Sequence, residues 1–568
     1  GIARVIHIHL DLFVDFDETI LRGTAILFIE MEPEYDEIIL DIYQLNEDKM
    51  DVSEYFSSDK LKYDVKQTHC SVGSEFIVIQ IPQKYRGRFT EFKYKYCNKP
   101  YQIDYNCVIL IMYETRKDSP VLYWLRSDQT SDGTHPLLIT NNKFTYARGI
   151  FPCQDSPSVR FTFTAEISVP NNFNSVIICG RTCKRIINDR DRYIYMCFEM
   201  FPMPSYAMII MVGSLEIIHL DLQHNVNLWA EKKYIEQSKS CFANFHHILT
   251  IAKELCDDVR EYNICVLPPN IPEIDLSCLS MILVSSTLLN EDSFLICSTV
   301  AQKVAQNWAG GLVTCTNFQH LWLNKSFSTF ISREIMYFMY QQNIIPDKMS
   351  FLERKTANDF IIKKLKSILD KWFYGPNLRL MSIEDICTLY PELHCLMTNS
   401  PGYLLARQWV TTETFNNFAF LLTELKLCNN NLERREFLSH LYASNTVLPV
   451  AKLWWLRRIF PLDEQTCENR LLLLLLYIKN KWLEMIQPAL KFVREYCSPM
   501  FACPIFRELY ELEETRHLAI SGFTAIVEKK CKMLPQTIQE VAYILKINLK
   551  DIYILTSEES TLHVKTGQ

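Results

Sequence analysis

A chain of 568 residues with 48% hydrophobic and 22% charged residues is long enough for about three or four domains, and its balance excludes a disordered or fibrous protein. Fifty-nine Lys and Arg against 66 Asp and Glu leave a net charge of −7, which gives no footprint for nucleic acid or an anionic membrane. The longest apolar run, Leu471 to Ile478, is far short of the ~20 residues of a membrane span, and 14 glycines in 568 residues count against a Gly-rich phosphate-binding enzyme.

Gly1-Ile2-Ala3-Arg4 has no signal pattern and no initiator Met, so the natural start is expected to lie upstream or to have been processed. Residues 1 to about 214 read as strands: His7–Phe16, Thr24–Glu32, Phe76–Ile81, Ser175–Cys179 and Tyr193–Phe198 are β-branched or aromatic runs with partial alternation. Ser131-Asp132-Gly133 and Pro170-Asn171-Asn172 punctuate them as turns. His7 and His9 alternate on one predicted strand face, expected to be solvated. From about 223 the period becomes helical, with Trp229–Asp257 the first long example. From about 400 nearly everything reads as helix, Leu471–Leu483 and Thr537–Ile544 most strongly, with Thr537 and Glu540 forming a capping box. The tail from Thr556 is polar and expected to be loose. Twenty cysteines are scattered without any Cys-x-x-Cys, which predicts buried free thiols in a reducing, cytoplasmic compartment rather than a disulfide framework or a thiolate zinc site.

The chemistry concentrates between Val300 and Ile331. Val300, Val304 and Trp308 recur at fours beside Ala301 and Ala305, a buried helix stripe that Gly310-Gly311 ends. Gln302 and Gln306 share one face of that helix, one turn apart. Downstream stand Leu312-Val313-Thr314 and Trp322-Leu323-Asn324-Lys325. This segment resembles the zinc aminopeptidases related to leukotriene A(4) hydrolase and aminopeptidase B. Their helix reads His-Glu-x-x-His, followed by Trp-x-Gly-x-Leu-Val-Thr and Trp-Leu-Asn-Glu. Trp308, Gly310, Leu312, Val313, Thr314, Trp322, Leu323 and Asn324 match without a gap. The resemblance extends over nearly the whole chain, through Arg148–Pro157, Met211–Glu216 and Trp455–Arg494.

The resemblance implies a multidomain α+β fold: an N-terminal β saddle over 1–214, a thermolysin-like α/β peptidase domain over 215–399, and an armadillo-like α-helical stack over 400–568. It also implies that the chemical positions have degenerated. The two His ligands correspond to Gln302 and Gln306, the general-base Glu to Lys303, and the third ligand, a Glu, to Lys325. The amine-binding segment after Val266-Leu267-Pro268-Pro269 corresponds to Ile274–Cys278, with Ser277 at the amine-site Glu; Asp275 there reads as a solvated loop carboxylate. Positions that bind substrate in the hydrolase branch correspond to Asn141, Lys143, Ser498 and Met500. No Pro-Tyr-Glu-Lys-Gly stretch supplies the transition-state Tyr; Tyr337 and Tyr340 come too early, in a region that looks shortened before the Ser382 helix. Across the five zinc-segment and amine-site positions the formal charge moves from −3 in the family to +2 here. Each Lys would repel a divalent cation by about 4 kcal/mol or more at roughly 4 Å and an effective dielectric near 20.

The expectation is therefore a pseudoenzyme without zinc, serving as a structural or interaction subunit with protein partners in a larger assembly. Two alternatives are a peptide- or anion-binding module that uses the old cleft, with Lys303 and Lys325 as its cations, and a zinc aminopeptidase or epoxide hydrolase with a rearranged site. Cys278, Cys297, Cys315 and His320 lie close to the site in sequence and read as buried thiols and a packed or solvated histidine. Asn324-Lys325-Ser326 matches a glycosylation sequon at an expected buried helix start, and is discounted.

Overall fold

Alternation along the first strand sets the N-terminal architecture. In Arg4–Asp15, Ile8, Leu10, Leu12 and Val14 are fully buried on one face of the sheet, while Asp11 on the other is exposed. The strand pairs antiparallel with Ile20–Glu30 and parallel with Arg160–Pro170. It lies at the centre of a seven-stranded sheet ordered Lys184–Asn188, Arg192–Pro204, Arg160–Pro170, Arg4–Asp15, Ile20–Glu30, Cys107–Glu114 and Asp51–Glu54. The computed structural model describes residues 3–32, 34–67, 75–86, 90–96, 99–179, 181–188, 191–221, 225–256, 262–274, 279–345, 401–412, 431–444, 446–528 and 532–548. The expectations for Asp275, Ser277, Cys278, the stretch before Ser382 and the tail from Thr556 fall outside these residues.

The chain divides into two compact units, Gly1–Ser286 with Thr299–Ile335, and Thr287–Ser298 with Met336–Gln568. In the first, a five-stranded sheet built around Ile210–Gly213 accompanies the large one. A four-stranded sheet follows, in the order Glu216–Asp221, Val226–Ala230, Tyr262–Leu267, Met281–Ser285, and its last three strands are parallel. Helices Lys232–Cys241 and Phe245–Cys256 make the crossover between the second and third of these strands. Trp229 is therefore a strand residue, and the expected single helix from Trp229 is two helices that begin at Lys232. Every residue of Val226–Ala230 is buried, so the strand shows no alternation that sequence could reveal.

The expectation of a solvated His7/His9 face is corrected. His7 is 1% exposed, with Nδ1 2.7 Å from Thr162 Oγ1, and His9 Nδ1 lies 2.8 Å from Thr164 Oγ1. Burial pushes the His7 imidazole down to about 3, and nearby His9 adds a smaller push. The unfolded chain takes up this proton near pH 6.5, so below that pH it binds more protons than the folded chain, and stability falls as pH drops from about 6.5 toward 3. Urea unfolding should therefore show His7→Asn losing up to ~2 kcal/mol less than the parent between pH 6.5 and 5. Equal losses would mean that His7 charges without penalty.

The described part of the second unit is helical. In helix Cys467–Lys479 the run Leu471–Ile478 is apolar all round because both flanks are covered. Leu471, Leu474, Leu475 and Ile478 join a core with Phe492, Phe506 and Phe523; Leu473, Leu476 and Tyr477 join another with Trp409 and Phe437. The last described helix, Pro535–Leu545, opens on Pro535 behind Leu534 with no side-chain cap, so the capping box expected at Thr537 does not form. Among the described residues no helix is long and apolar enough to cross a membrane, and thirteen cysteines are free, eleven of them buried.

Candidate functional site

Helix Ser293–Trp308 buries Val300, Ala301, Val304 and Ala305 on one side, which fixes the direction in which Gln302, Lys303 and Gln306 point. Gln302 turns to the next helix, Leu321–Gln341, where Ser328 and Ser332 stand four residues apart on one face. Its Nε2 donates to Ser328 Oγ at 3.1 Å, and Ser332 Oγ donates to its Oε1 at 2.7 Å. Ser328 Oγ in turn donates to the Lys325 carbonyl at 3.0 Å, and Thr329 Oγ1 reaches the same carbonyl at 2.8 Å. An amide–hydroxyl clamp thus joins the helix of the two ligand positions to the helix of the third. Lys303 is 7% exposed and its Nζ donates to the Ile274 carbonyl at 3.2 Å. Gln306 is buried and Lys325 half-buried.

The turn after the helix explains the matching scaffold residues. Gly310 has φ +135°, which a side chain rarely adopts, and a Cβ on Gly311 would come within 2.5 Å of the Asn307 carbonyl oxygen. Tyr206 donates its hydroxyl to the Gly310 carbonyl. Arg160 donates to the carbonyls of Leu312 at 2.7 Å and Pro202 at 2.8 Å, and Thr314 Oγ1 to that of Pro157 at 3.2 Å. These bonds fasten the turn to the N-terminal strands and require nothing of catalysis.

The other expected positions that the structure describes have partners of their own or lie in the second unit. Asn141 Nδ2 donates to the Tyr123 hydroxyl at 2.8 Å, its Oδ1 accepts from the Lys143 backbone N–H at 3.2 Å, and the Lys143 ammonium lies over the Phe144 ring. Ser498 and Met500 belong to the second unit, Ser498 buried at the start of helix Pro499–Glu511 and Met500 exposed. Burial pushes the Cys297 thiol up to about 11 and raises Cys315 as well, so neither is an activated thiolate. His320 is half-buried.

Zinc takes imidazole, thiolate or carboxylate donors. The three positions expected to correspond to the family's ligands offer two neutral amides and an ammonium, and one amide oxygen already accepts a hydroxyl proton, so this donor set does not fit the ion. Among the described residues no group of three or more His, Cys, Asp or Glu is placed to hold a metal. Ser328 and Ser332 went unnoticed in the sequence. Their spacing was visible there, but their partner was not.

Three family models match the chain: the peptidase M1 N-terminal domain over residues 5–207, the peptidase family M1 domain over 278–454, and the leukotriene A4 hydrolase C-terminal domain over 431–544. The chain is 27% identical to a leukotriene A-4 hydrolase of Xenopus laevis over 335 residues, 58% of this chain and 51% of that one. It is 29% identical to a leucine aminopeptidase 2 of Coccidioides immitis over 234 residues, 40% and 36% of the two chains. The matched part thus spans about half, or less, of the length of these curated relatives. In fold it is similar to yeast LTA4 hydrolase solved with bestatin, with a TM-score of 0.70 over 96% of both chains at 19% identity. The native Saccharomyces cerevisiae structure gives a TM-score of 0.67 over 96% of both chains, also at 19% identity.

Proposed function

The chain belongs to the M1 peptidase family, with the β-rich N-terminal, peptidase and helical C-terminal domains of the leukotriene A4 hydrolase branch, and we propose that it is a non-catalytic member acting as a structural or interaction subunit of a protein assembly. The observation that carries this reading is the clamp at Gln302. The side chain at the first ligand position is spent on Ser328 and Ser332, and Lys303, at the general-base position, spends its ammonium on the Ile274 carbonyl. A general base must accept a proton, and a lysine held as a donor does not. The clamp does the mechanical part of a metal's work, cross-linking the two helices, without a Lewis acid. Retention of Gly310, Gly311 and Thr314 fits a chain in which the fold, and the surface it carries, is still in use. The free, mostly buried cysteines fit a reducing, cytoplasmic setting.

Elemental analysis of the purified protein after brief dialysis should find well under one zinc per chain, and aminopeptide substrates should not turn over. One zinc per chain, lost on Gln302→Ala, would favour the rearranged zinc enzyme instead. The anion-pocket reading gains nothing from Lys303, whose ammonium the Ile274 carbonyl already engages.

A further inference from the structure

Helix Val450–Ile459 is amphipathic in an unusual way. Leu453 and Leu456 are fully buried in the core shared with Trp409 and Phe437. The opposite face is not the charged, polar surface that usually covers a helical stack. Val450 is 55% and Trp454 46% exposed, and Val447, just before the helix, is 76% exposed. Val450, Trp454 and Arg458 follow one another at intervals of four residues along one side of the helix, and exposed Val447 precedes them in the chain.

Charge marks the same strip. From Thr446 to Pro461 the sequence holds Lys452, Arg457 and Arg458 and no acid. The Lys452 ammonium is used internally, on the carbonyls of Trp409 and Val410. The two arginines are exposed, and among the described residues neither pairs with a carboxylate. They lie instead over indoles: Arg458 at 5.4 Å from the Trp454 ring and 5.5 Å from the Trp455 ring, Arg457 at 5.8 Å from the Trp482 ring. A guanidinium stacked on an aromatic face is pre-organised, and its N–H edge is left for a carboxylate. Exposed Trp and Arg side by side, with valines around them, is the composition of an interface anchor.

We propose that the strip Val447, Val450, Trp454 and Arg458, flanked by Arg457, is a docking surface for an acidic amphipathic segment of a partner protein. Apolar side chains of that segment, one helical turn apart, cover the valines and Trp454, and a Glu or Asp a further turn along meets the arginine edges. A second copy of this chain fits less well, since a two-fold contact through this strip, which holds no acid, would bring no carboxylate to the arginines. An anionic membrane fits less well because the chain carries a net charge of −7. The strip belongs to the second unit and uses none of the residues Gln302, Lys303, Gln306 and Lys325, so this proposal would survive the discovery of zinc at them.

The test uses the full chain and three fluorescein-labelled helical peptides of about fifteen residues with one Leu/Phe pattern, whose remaining positions are mainly Glu, Gln or Lys. Anisotropy should show the Glu peptide binding best. Trp454→Ala and Arg458→Glu should each weaken it at least about tenfold. Val447→Asp, at a site too exposed to support the core, should do the same if Trp454→Ala lowers the melting temperature. The pair Arg457→Glu and Arg458→Glu should transfer preference to the Lys peptide. Equal binding of all three peptides, or binding of none, would overturn the proposal. So would phosphatidylserine vesicles captured through Trp454, which would put a membrane there, or a dimer lost on Trp454→Ala, which would put a second copy there.

Discussion

Gln302→His, Lys303→Glu, Gln306→His and Lys325→Glu, made together, are expected to give a chain that binds about one zinc per molecule where the parent is expected to bind none, while peptide cleavage stays absent. The backbone requirement is met: the two ligand positions lie one turn apart on helix Ser293–Trp308, and the third lies on the helix to which the clamp already holds them. Two effects oppose the change in the absence of metal. Loss of Gln302 removes two hydrogen bonds, each worth about 1 kcal/mol, and leaves the buried hydroxyls of Ser328 and Ser332 only the carbonyls of Lys325 and Thr329 as partners. Glu at 303 would aim a carboxylate at the Ile274 carbonyl oxygen that now accepts from the ammonium. The quadruple variant should therefore melt several degrees below the parent in chelator and recover in zinc, by about 4 kcal/mol at a thousandfold excess over Kd. That readout is independent of activity. Turnover should stay absent because Ser277 offers no carboxylate to the substrate amine and the transition-state Tyr stretch is missing; groups that act as a unit recover little when repaired in part. A melting temperature indifferent to zinc would mean that the helices no longer hold ligand geometry. Fast aminopeptide cleavage would mean that the remaining machinery lies elsewhere in the chain.

The sequence assigns the positions proposed as degenerate through register: once Trp308, Gly310 and Trp322-Leu323-Asn324 are placed, Gln302, Lys303, Gln306 and Lys325 follow by counting. What these residues do instead was not legible, since Gln302 finds Ser328 and Ser332 across a gap between two helices. The same divide runs through the fold. Arg4–Asp15 could be read because one face is buried and alternation survives. Val226–Ala230 could not, because a parallel neighbour and full burial erase the period. His7 was misjudged because its threonine partners come from a strand more than 150 residues away. At Thr537 the capping-box spacing was present, but Pro535, with its preset φ, starts the helix two residues earlier.

Arg148→Met is expected to cost about 3–5 kcal/mol, the largest single-residue loss anticipated for this chain, because it leaves a carboxylate buried without its cation. Asp155 is 3% exposed and its Oδ2 accepts from Arg148 Nε at 3.0 Å. Asp41 is the second acid on the guanidinium, at 3.4 Å, and its carboxylate also accepts from the Asp155 backbone N–H at 2.8 Å. Ser205 Oγ donates to Asp155 Oδ1 at 2.6 Å. Arg148 thereby knits strand Glu37–Ile42, the Cys153–Pro157 stretch and Ser205 together. The Pro157 carbonyl is the acceptor that receives Thr314, so the knot supports the turn behind the Gln302 helix as well. Burial already raises the Asp155 carboxyl above the ordinary carboxylate range, with Arg148 as the chief opposing influence; removing Arg148 raises it further. An acid whose pKa is higher folded than unfolded loses stability as pH rises above its unfolded value, near 4, so the variant should be penalised more at pH 7 than at pH 4.5. Arg148→Met with Asp155→Leu should recover part of the loss, as an apolar pair can replace a buried ion pair. The recovery stays incomplete because Ser205 and the Arg148 backbone N–H lose the acceptor they share. Urea unfolding of the two single variants and the double at both pH values closes the cycle. A loss under ~1 kcal/mol for Arg148→Met, unchanged between the two, would mean that water reaches Asp155 and that the knot is a surface pair.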